Sequence, residues 1–174
     1  PSKVISDDYV WSLLEDSKGN IWMGTTYGGV NIISVDRDSI EVLKKNSSGD
    51  GLSYNNVWPL MEDINGDIWM GTDGGGITRW VSKSDKFIYY NHEKNNPRSL
   101  SSDFIFSLYR DSENTIWVGT SGGGLNKFNR NDETFTSFKS EENNKESLSN
   151  NSVRAIFEDS KGRFWVGTTD GLNL

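Results

Sequence analysis

The sequence predicts an all-β protein, a β-propeller fragment of four-stranded antiparallel blades with three full blades and part of a fourth. Three observations carry this. The phrase Asp-Ser-Lys-Gly-Asn-Ile-Trp-Met-Gly-Thr at 16–25 returns in variant form at 63–72, 111–120 and 159–168. Its tryptophans, Trp22, Trp69, Trp117 and Trp165, stand 47, 48 and 48 residues apart, and a period in the forties marks a repeat architecture. No window places apolar residues at helical spacing; instead Trp, Phe, Tyr, Ile and Val fill the apolar positions and glycine interrupts each unit.

Aligned on the tryptophans, each unit opens with an apolar column, Ile5, Leu52, Leu100 and Leu148, followed by a serine and a polar pair. The first strand begins at Val10, Val57, Ile105 and Val153 and runs into Asp16, Asp63, Asp111 and Asp159. These aspartates are expected to cap their own turns through backbone N–H groups rather than to hold a metal. Gly19, Gly66 and Gly162 share one turn position, where the third copy has Asn114, so a positive φ is the requirement there. The Trp phrase is the second strand. A Gly-rich turn follows (Tyr27-Gly28-Gly29, Asp73 to Gly76, Ser121 to Gly124), then a third strand through Val30-Asn31-Ile32, Ile77 to Trp80 and Leu125 to Phe128. A fourth strand is marked by Ile40/Leu43, Phe87/Tyr90 and Phe135/Phe138. The blades therefore cover approximately 9–46, 56–93, 104–141 and 152–174, the last stopping within its third strand. A β-sandwich would explain the short strands but not the period.

With 174 residues and no internal composition break, one domain with a real core is expected. Hydrophobic content is only 33%, but the 12% aromatic residues recur at fixed positions, which argues against disorder. A net charge of −7 without a Lys/Arg cluster disfavours nucleic acid as a partner. There is no cysteine, hence no thiol nucleophile and no thiolate metal site. No apolar run reaches membrane length.

The pattern Val-x-x-Leu-x-Glu-Asp-x-x-Gly-x-Ile-Trp-x-Gly-Thr-x-x-Gly-Gly-x-Asn resembles the two-component regulator propeller repeat, and does so in four copies over nearly the whole chain. Two departures stand out: Arg110 replaces the Glu15, Glu62 and Glu158 of the other copies, and Thr169-Asp170-Gly171 is one residue short at the Gly turn. The resemblance implies the extracytoplasmic sensor region of a hybrid histidine kinase, periplasmic and membrane-anchored in its parent, many relatives responding to oligosaccharides. It also implies a ring of about seven blades. Residues 1–8 read as a loop with no strand to complete the fourth blade, so the chain is expected to be a segment of a longer propeller, without the membrane helix, kinase or DNA-binding region of the parent. Its two open blade faces and the edge near Leu174 favour self-association or low stability.

Sites are weighed against packing. His92, the only histidine, lies in the polar run Asn91 to Lys94 and forms no triad or zinc constellation, so no catalytic residue, metal or cofactor is assigned. The stretch Asp63 to Asp67 misplaces the glycine of a calcium loop, the Gly-rich segments lack the Lys of a phosphate loop, and no carboxylate pair is singled out. Binding is better supported. The loop entering the first strand and the Gly turn emerge at the same end of a blade and differ between copies. Tyr9, Trp11, Trp58, Phe104, Phe106 and Arg154 lie there, with Tyr27, Asp73 and Ser121 on the Gly turns. Aromatic faces and flanking polar groups suit an oligosaccharide. Packing between blades is the weightier reading for Trp11, Trp58 and Phe106 taken singly, and Trp22, Trp69, Trp117 and Trp165 are assigned to the core. Three functions follow: a ligand-sensing segment that is not itself an enzyme, a fragment of a propeller-fold lyase or glycosidase, and a protein-interaction scaffold.

Overall fold

A computed structural model describes residues 4–174. Fifteen strands form four separate antiparallel sheets, and there is no helix among the described residues. Blade one holds β1 (Val10–Glu15), β2 (Ile21–Thr25), β3 (Val30–Ile33) and β4 (Ile40–Leu43); blade two holds β5 (Val57–Glu62), β6 (Ile68–Thr72), β7 (Ile77–Val81) and β8 (Lys86–Tyr90). Blade three holds β9 (Ile105–Arg110), β10 (Ile116–Thr120), β11 (Leu125–Asn129) and β12 (Thr134–Phe138), and blade four β13 (Val153–Glu158), β14 (Phe164–Thr168) and β15 (Gly171–Asn173). Each sheet runs in sequence order, so every blade is a simple meander. The first strands pack on one another, β1 on β5, β5 on β9 and β9 on β13, which puts them on the inside of a fan of blades. Residues 4–8 carry no strand, and the rest of the loop expected over 1–8 lies outside the described residues.

Turn chemistry sets the hairpins. Gly19, Gly66 and Gly162 have φ of 85°, 79° and 73°, and Asn114 has 64°, so the one non-glycine is the residue type that best tolerates the left-handed region. Asp16 Oδ1 accepts from the amides of Lys18 and Asn20, as Asp63, Asp111 and Asp159 do in their own turns. The other carboxylate oxygen serves the repeated indole. Trp22, Trp117 and Trp165 Nε1 donate to Asp16, Asp111 and Asp159 Oδ2 at 2.8, 2.8 and 2.9 Å, and Trp69 reaches Asp63 at 3.4 Å. One side chain thus closes the turn and fixes the strand leaving it.

At the opposite end, the threonine of each Trp-x-Gly-Thr phrase donates its hydroxyl back to the Gly turn: Thr25 to Gly29, Thr72 to Gly76, Thr120 to Gly124 and Thr168 to Gly171. An asparagine or threonine within the third strand then holds the incoming loop. The amides of Ser6, Ser53, Ser101 and Ser149 donate to Asn31, Thr78, Asn126 and Asn173. This ties down Leu52, Leu100 and Leu148, each packed in the core between its blade and the one before.

Apolar side chains fill each seam between blades. Leu14, Met61 and Tyr109 point toward the next blade, and Leu60, Leu108 and Ile156 toward the previous one. Trp22 and Trp69 are buried, whereas Trp117 and Trp165 are half-buried. Trp165 sits on the outer face of blade four, where no further sheet covers it, and Trp117 borders a cleft beside β15, where blade four has no fourth strand.

Candidate functional site

The site is built by a defect repeated in every inner strand. Register shifts interrupt the pairing between Val10 and Ser12, between Val57 and Leu60, beside Ile105, and between Val153 and Ala155. Trp11, Phe106 and Arg154 have no partner across the sheet, and neither does Trp58 beside Pro59, which has no N–H to donate. A β-bulge frees its extra residue from the in-and-out alternation and re-aims the side chain. Four such residues therefore turn to the same end of the fan, and each meets the next.

They form one ladder. Trp11 and Trp58 have ring centroids 5.6 Å apart at a 43° tilt, and Trp58 stacks on Phe106 at 5.4 Å with planes 8° apart. The Arg154 guanidinium lies 3.8 Å from the Phe106 centroid and completes the series. Hydrogen bonds fix the indoles: Trp11 Nε1 donates to Thr26 Oγ1 and Trp58 Nε1 to Asn56 Oδ1, both at 2.8 Å. Asn56 in turn donates to Asp73 Oδ2.

The Gly turns lie at the same end. The amide of Thr26 donates to the Tyr9 carbonyl, that of Ser121 to Phe104, and Asp73 makes an isolated bridge with Phe104. Asp7 accepts from the amides of Tyr9 and Tyr27, and the Tyr9 bond, followed by the Tyr27 bond, holds its carboxyl below the usual range. All nine residues expected at the rim are thus found on one end of the blades. They do not present equal surfaces. Tyr9, Trp11, Tyr27 and Phe104 are exposed, Trp11 by 61%, as is Arg154. Trp58 and Phe106 are half-buried and cover each other's faces, so they offer only edges. Asp73 and Ser121 are half-buried.

Arg154 is exposed and has no carboxylate partner among the described residues. The surface can stack on apolar faces and exchange hydrogen bonds with hydroxyls. No cluster of three His, Cys, Asp or Glu that could hold a metal ion occurs among the described residues. His92 Nδ1 lies 2.8 Å from the Leu100 carbonyl, and its amide donates to Asp103 Oδ1. No helix among the described residues is long and apolar enough to cross a membrane.

Two relationships here escaped the sequence reading. The stacking of the ladder was hidden because the bulge breaks strand alternation. The indole-to-carboxylate bond did leave a signal, a fixed spacing of six residues from Asp to Trp in all four copies.

Comparison with known proteins agrees with this architecture. No curated protein matches the chain. Among solved structures, the extracellular domain of a putative one component system from B. thetaiotaomicron is 24% identical with a TM-score of 0.72, over 94% of this chain and 21% of that one. The extracellular domain of a putative hybrid two component system from the same organism is 23% identical with a TM-score of 0.61, over 94% and 26%. Virginiamycin B lyase from Staphylococcus aureus is 17% identical with a TM-score of 0.66, over 93% and 50%. The chain thus spans about a fifth to a half of the structures it resembles, and the likeness is one of fold. The two component regulator propeller model matches residues 5–27, 51–74, 99–122 and 147–170, each an entering loop, inner hairpin and Gly turn. The chain belongs to the two component regulator propeller family.

Proposed function

We propose that this propeller segment senses an oligosaccharide as part of the periplasmic region of a two-component receptor, its occupancy shifting the arrangement of receptor chains and so the kinase of the parent. The observation that carries the reading is the rim, where four bulged inner-strand residues and three Gly turns converge at one end of the blades. Exposed Tyr9, Trp11, Tyr27 and Phe104 supply apolar faces for sugar C–H surfaces. Arg154, Asp73 and Ser121 supply donors and acceptors for hydroxyls. Family membership and the extracellular neighbours support a sensing role for such a surface.

The competing reading, a lyase or glycosidase, has a propeller-fold lyase among its structural neighbours. The two separate in one experiment. Titrating the chain with a panel of neutral and acidic oligosaccharides in a calorimeter, then running the mixtures on a sizing column, should give a binding heat with the saccharide unchanged. Shortened saccharide chains would establish catalysis instead, and no heat with any saccharide would remove the ligand class.

A further inference from the structure

Between blades two and three the chain encloses a guanidinium of its own, Arg79, against tryptophan and carboxylates. Between blades one and two the matching place is a cleft with an aromatic floor and acidic margins, and no Lys or Arg lines it. We propose that this cleft binds a small organic cation, a guanidinium carried on an aliphatic stem. Both of its walls are complete four-stranded blades, and it shares no residue with the rim, so it stands independently of the saccharide reading.

Arg79, on β7, is the template. Its Nε and Nη2 donate to Asp67 Oδ2 at 3.0 and 2.8 Å, and its Nη1 donates to Glu133 Oε1 at 2.9 Å and to the Tyr90 hydroxyl at 3.3 Å. Its guanidinium carbon lies 5.3 Å from the Trp69 ring centroid. One planar cation is thus held by a buried tryptophan and by carboxylates of two successive blades, Asp67 from blade two and Glu133 from blade three. Blade three has Lys127 in the same column as Arg79, and its Nζ lies 5.7 Å from the Trp117 centroid.

In blade one that column holds Ile32, placed after Trp22 as Arg79 is placed after Trp69. Leu43 likewise stands where blade two has Tyr90. With a guanidinium and a phenol ring missing from the seam, a cleft of about 550 Å3 remains, within the usual range of small-ligand sites. Trp22, Ile32 and Leu43 of blade one and Trp80 and Phe87 of blade two form its apolar lining. Trp22 is buried, its ring centroid 5.4 Å from that of Trp80, while Trp80 and Phe87 are half-buried. The floor can therefore receive an aliphatic stem and the face of a planar cation.

The margins supply the charge. Asp85 occupies the place that Glu133 has in the next junction, both with a φ of 54°, and accepts from Trp80 Nε1 at 2.7 Å. Asn20 replaces Asp67, but Glu41 on β4 and Asp50 on the loop to blade two add carboxylates of their own to the lining. The side chains of Ser48 and Asn46 donate to Asp50 and hold its carboxyl below the usual range. None of the three carboxylates forms an ion pair among the described residues. Lys18 approaches Trp80, with Nζ 5.7 Å from the ring centroid, but does not line the cleft. A guanidinium entering here gains charge-assisted hydrogen bonds as well as stacking, whereas a neutral ligand of the same shape gains the stacking alone.

The test titrates the whole chain in a calorimeter with butylguanidinium and with butylurea, which has nearly the same shape and no charge. Butylguanidinium should bind, and butylurea at least about tenfold more weakly. Asp85→Asn, which keeps a residue suited to positive φ, and Glu41→Gln should each weaken butylguanidinium about tenfold and leave the circular dichroism native. Glu142→Gln, at an exposed acid outside the cleft, should leave the affinity unchanged and so separates a specific site from general attraction to an acidic chain. Ile32→Arg supplies the missing guanidinium from within and should abolish binding; if that variant does not fold, the carboxylate variants decide. No heat with butylguanidinium, equal affinity for butylurea, undiminished affinity in either carboxylate variant, an equal loss in Glu142→Gln, or a folded Ile32→Arg chain that binds like wild type would each overturn the proposal.

Discussion

The indole Nε1 of Trp22 donates a 2.8 Å hydrogen bond to Oδ2 of Asp16, the residue whose other oxygen closes the β1–β2 turn. Oδ2 also accepts from Asn20 Nδ2, so the carboxylate takes four hydrogen bonds and donates none. Asp16→Asn is nearly isosteric but must aim an NH2 group at two of these donors. The substitution should cost about 1–3 kcal/mol, the penalty for an unsatisfied buried group, measurable as a lower urea midpoint with unchanged slope.

Acid should act on the same aspartates. Burial alone would raise the Asp16 carboxyl, but the bonds from Trp22, Asn20 and Lys18 outweigh it and hold it below the usual 3.8. Asp159 is also held well below that value, chiefly by the Trp165 indole, with the Arg163 amide and side chain adding to it. A carboxyl whose folded pKa is depressed contributes stability that is fully present above its unfolded value and is lost as pH falls toward the folded one. Stability should therefore be level above about pH 5 and decline below about pH 4. In Asp16→Asn the decline should be shallower, so the gap between variant and wild type narrows with acid; a gap independent of pH from 3 to 7 would contradict the assignment.

The junction between blades two and three is made differently from its neighbours. Elsewhere Glu62 accepts from the amide and hydroxyl of Ser17, and Glu158 from those of Ser112. Here the serine column holds Ile64 and the glutamate column Arg110, and the junction is crossed instead by ion pairs, Arg79 with Glu133 at 2.9 Å and Arg130 with Asp63 at 3.2 Å. Installing the missing pair should be cooperative: Arg110→Glu alone recovers a bond to the residue 64 amide at most, and Ile64→Ser alone gains no acceptor. The double variant should exceed the sum of the singles by about 1 kcal/mol in a double-mutant cycle.

The glycines of the Trp-x-Gly phrase should divide by position. Gly119→Ala pushes a methyl against the Val153 carbonyl oxygen and Ser107 Oγ, and should cost about 1–3 kcal/mol or more as overpacking. At Gly167 there is room, and Ala should change the stability of the monomer by less than about 0.5 kcal/mol. Thermal melts of the two variants at low protein concentration make the comparison.

Blade order, strand positions and the Asp and Gly turns could be read from the sequence because each depends on residues within a few positions of one another, repeated four times. What Asn31 does could not: its partner Ser6 is 25 residues away, on a loop that meets β3 only once the blade is folded. Likewise the departure at Arg110 gained a meaning only with the fold, in which Glu62 and Glu158 of its column accept from Ser17 and Ser112 of the preceding blade. The rim was legible as a location, since entering loops and Gly turns must share one end of a meander. Its internal order was not, because Trp58 and Phe106 owe their stacking to bulges, and a bulge shows in register rather than in composition.

That stacking divides the rim residues by the effect of removing them. Trp58 lies between Trp11 and Phe106 and donates to Asn56, so Trp58→Ala removes packing on both sides and should cost about 3 kcal/mol or more of stability. Tyr27 and Phe104 lie on exposed loops, and their rings appear in no aromatic stack among the described residues. Tyr27→Ala and Phe104→Ala should leave the unfolding midpoint within about 0.5 kcal/mol of wild type. If these rings meet a sugar, each should still weaken saccharide binding by about tenfold, the loss of one aromatic contact worth roughly 1 kcal/mol. Variants with native stability and undiminished affinity would move the ligand away from the Gly turns and onto the edges of the ladder.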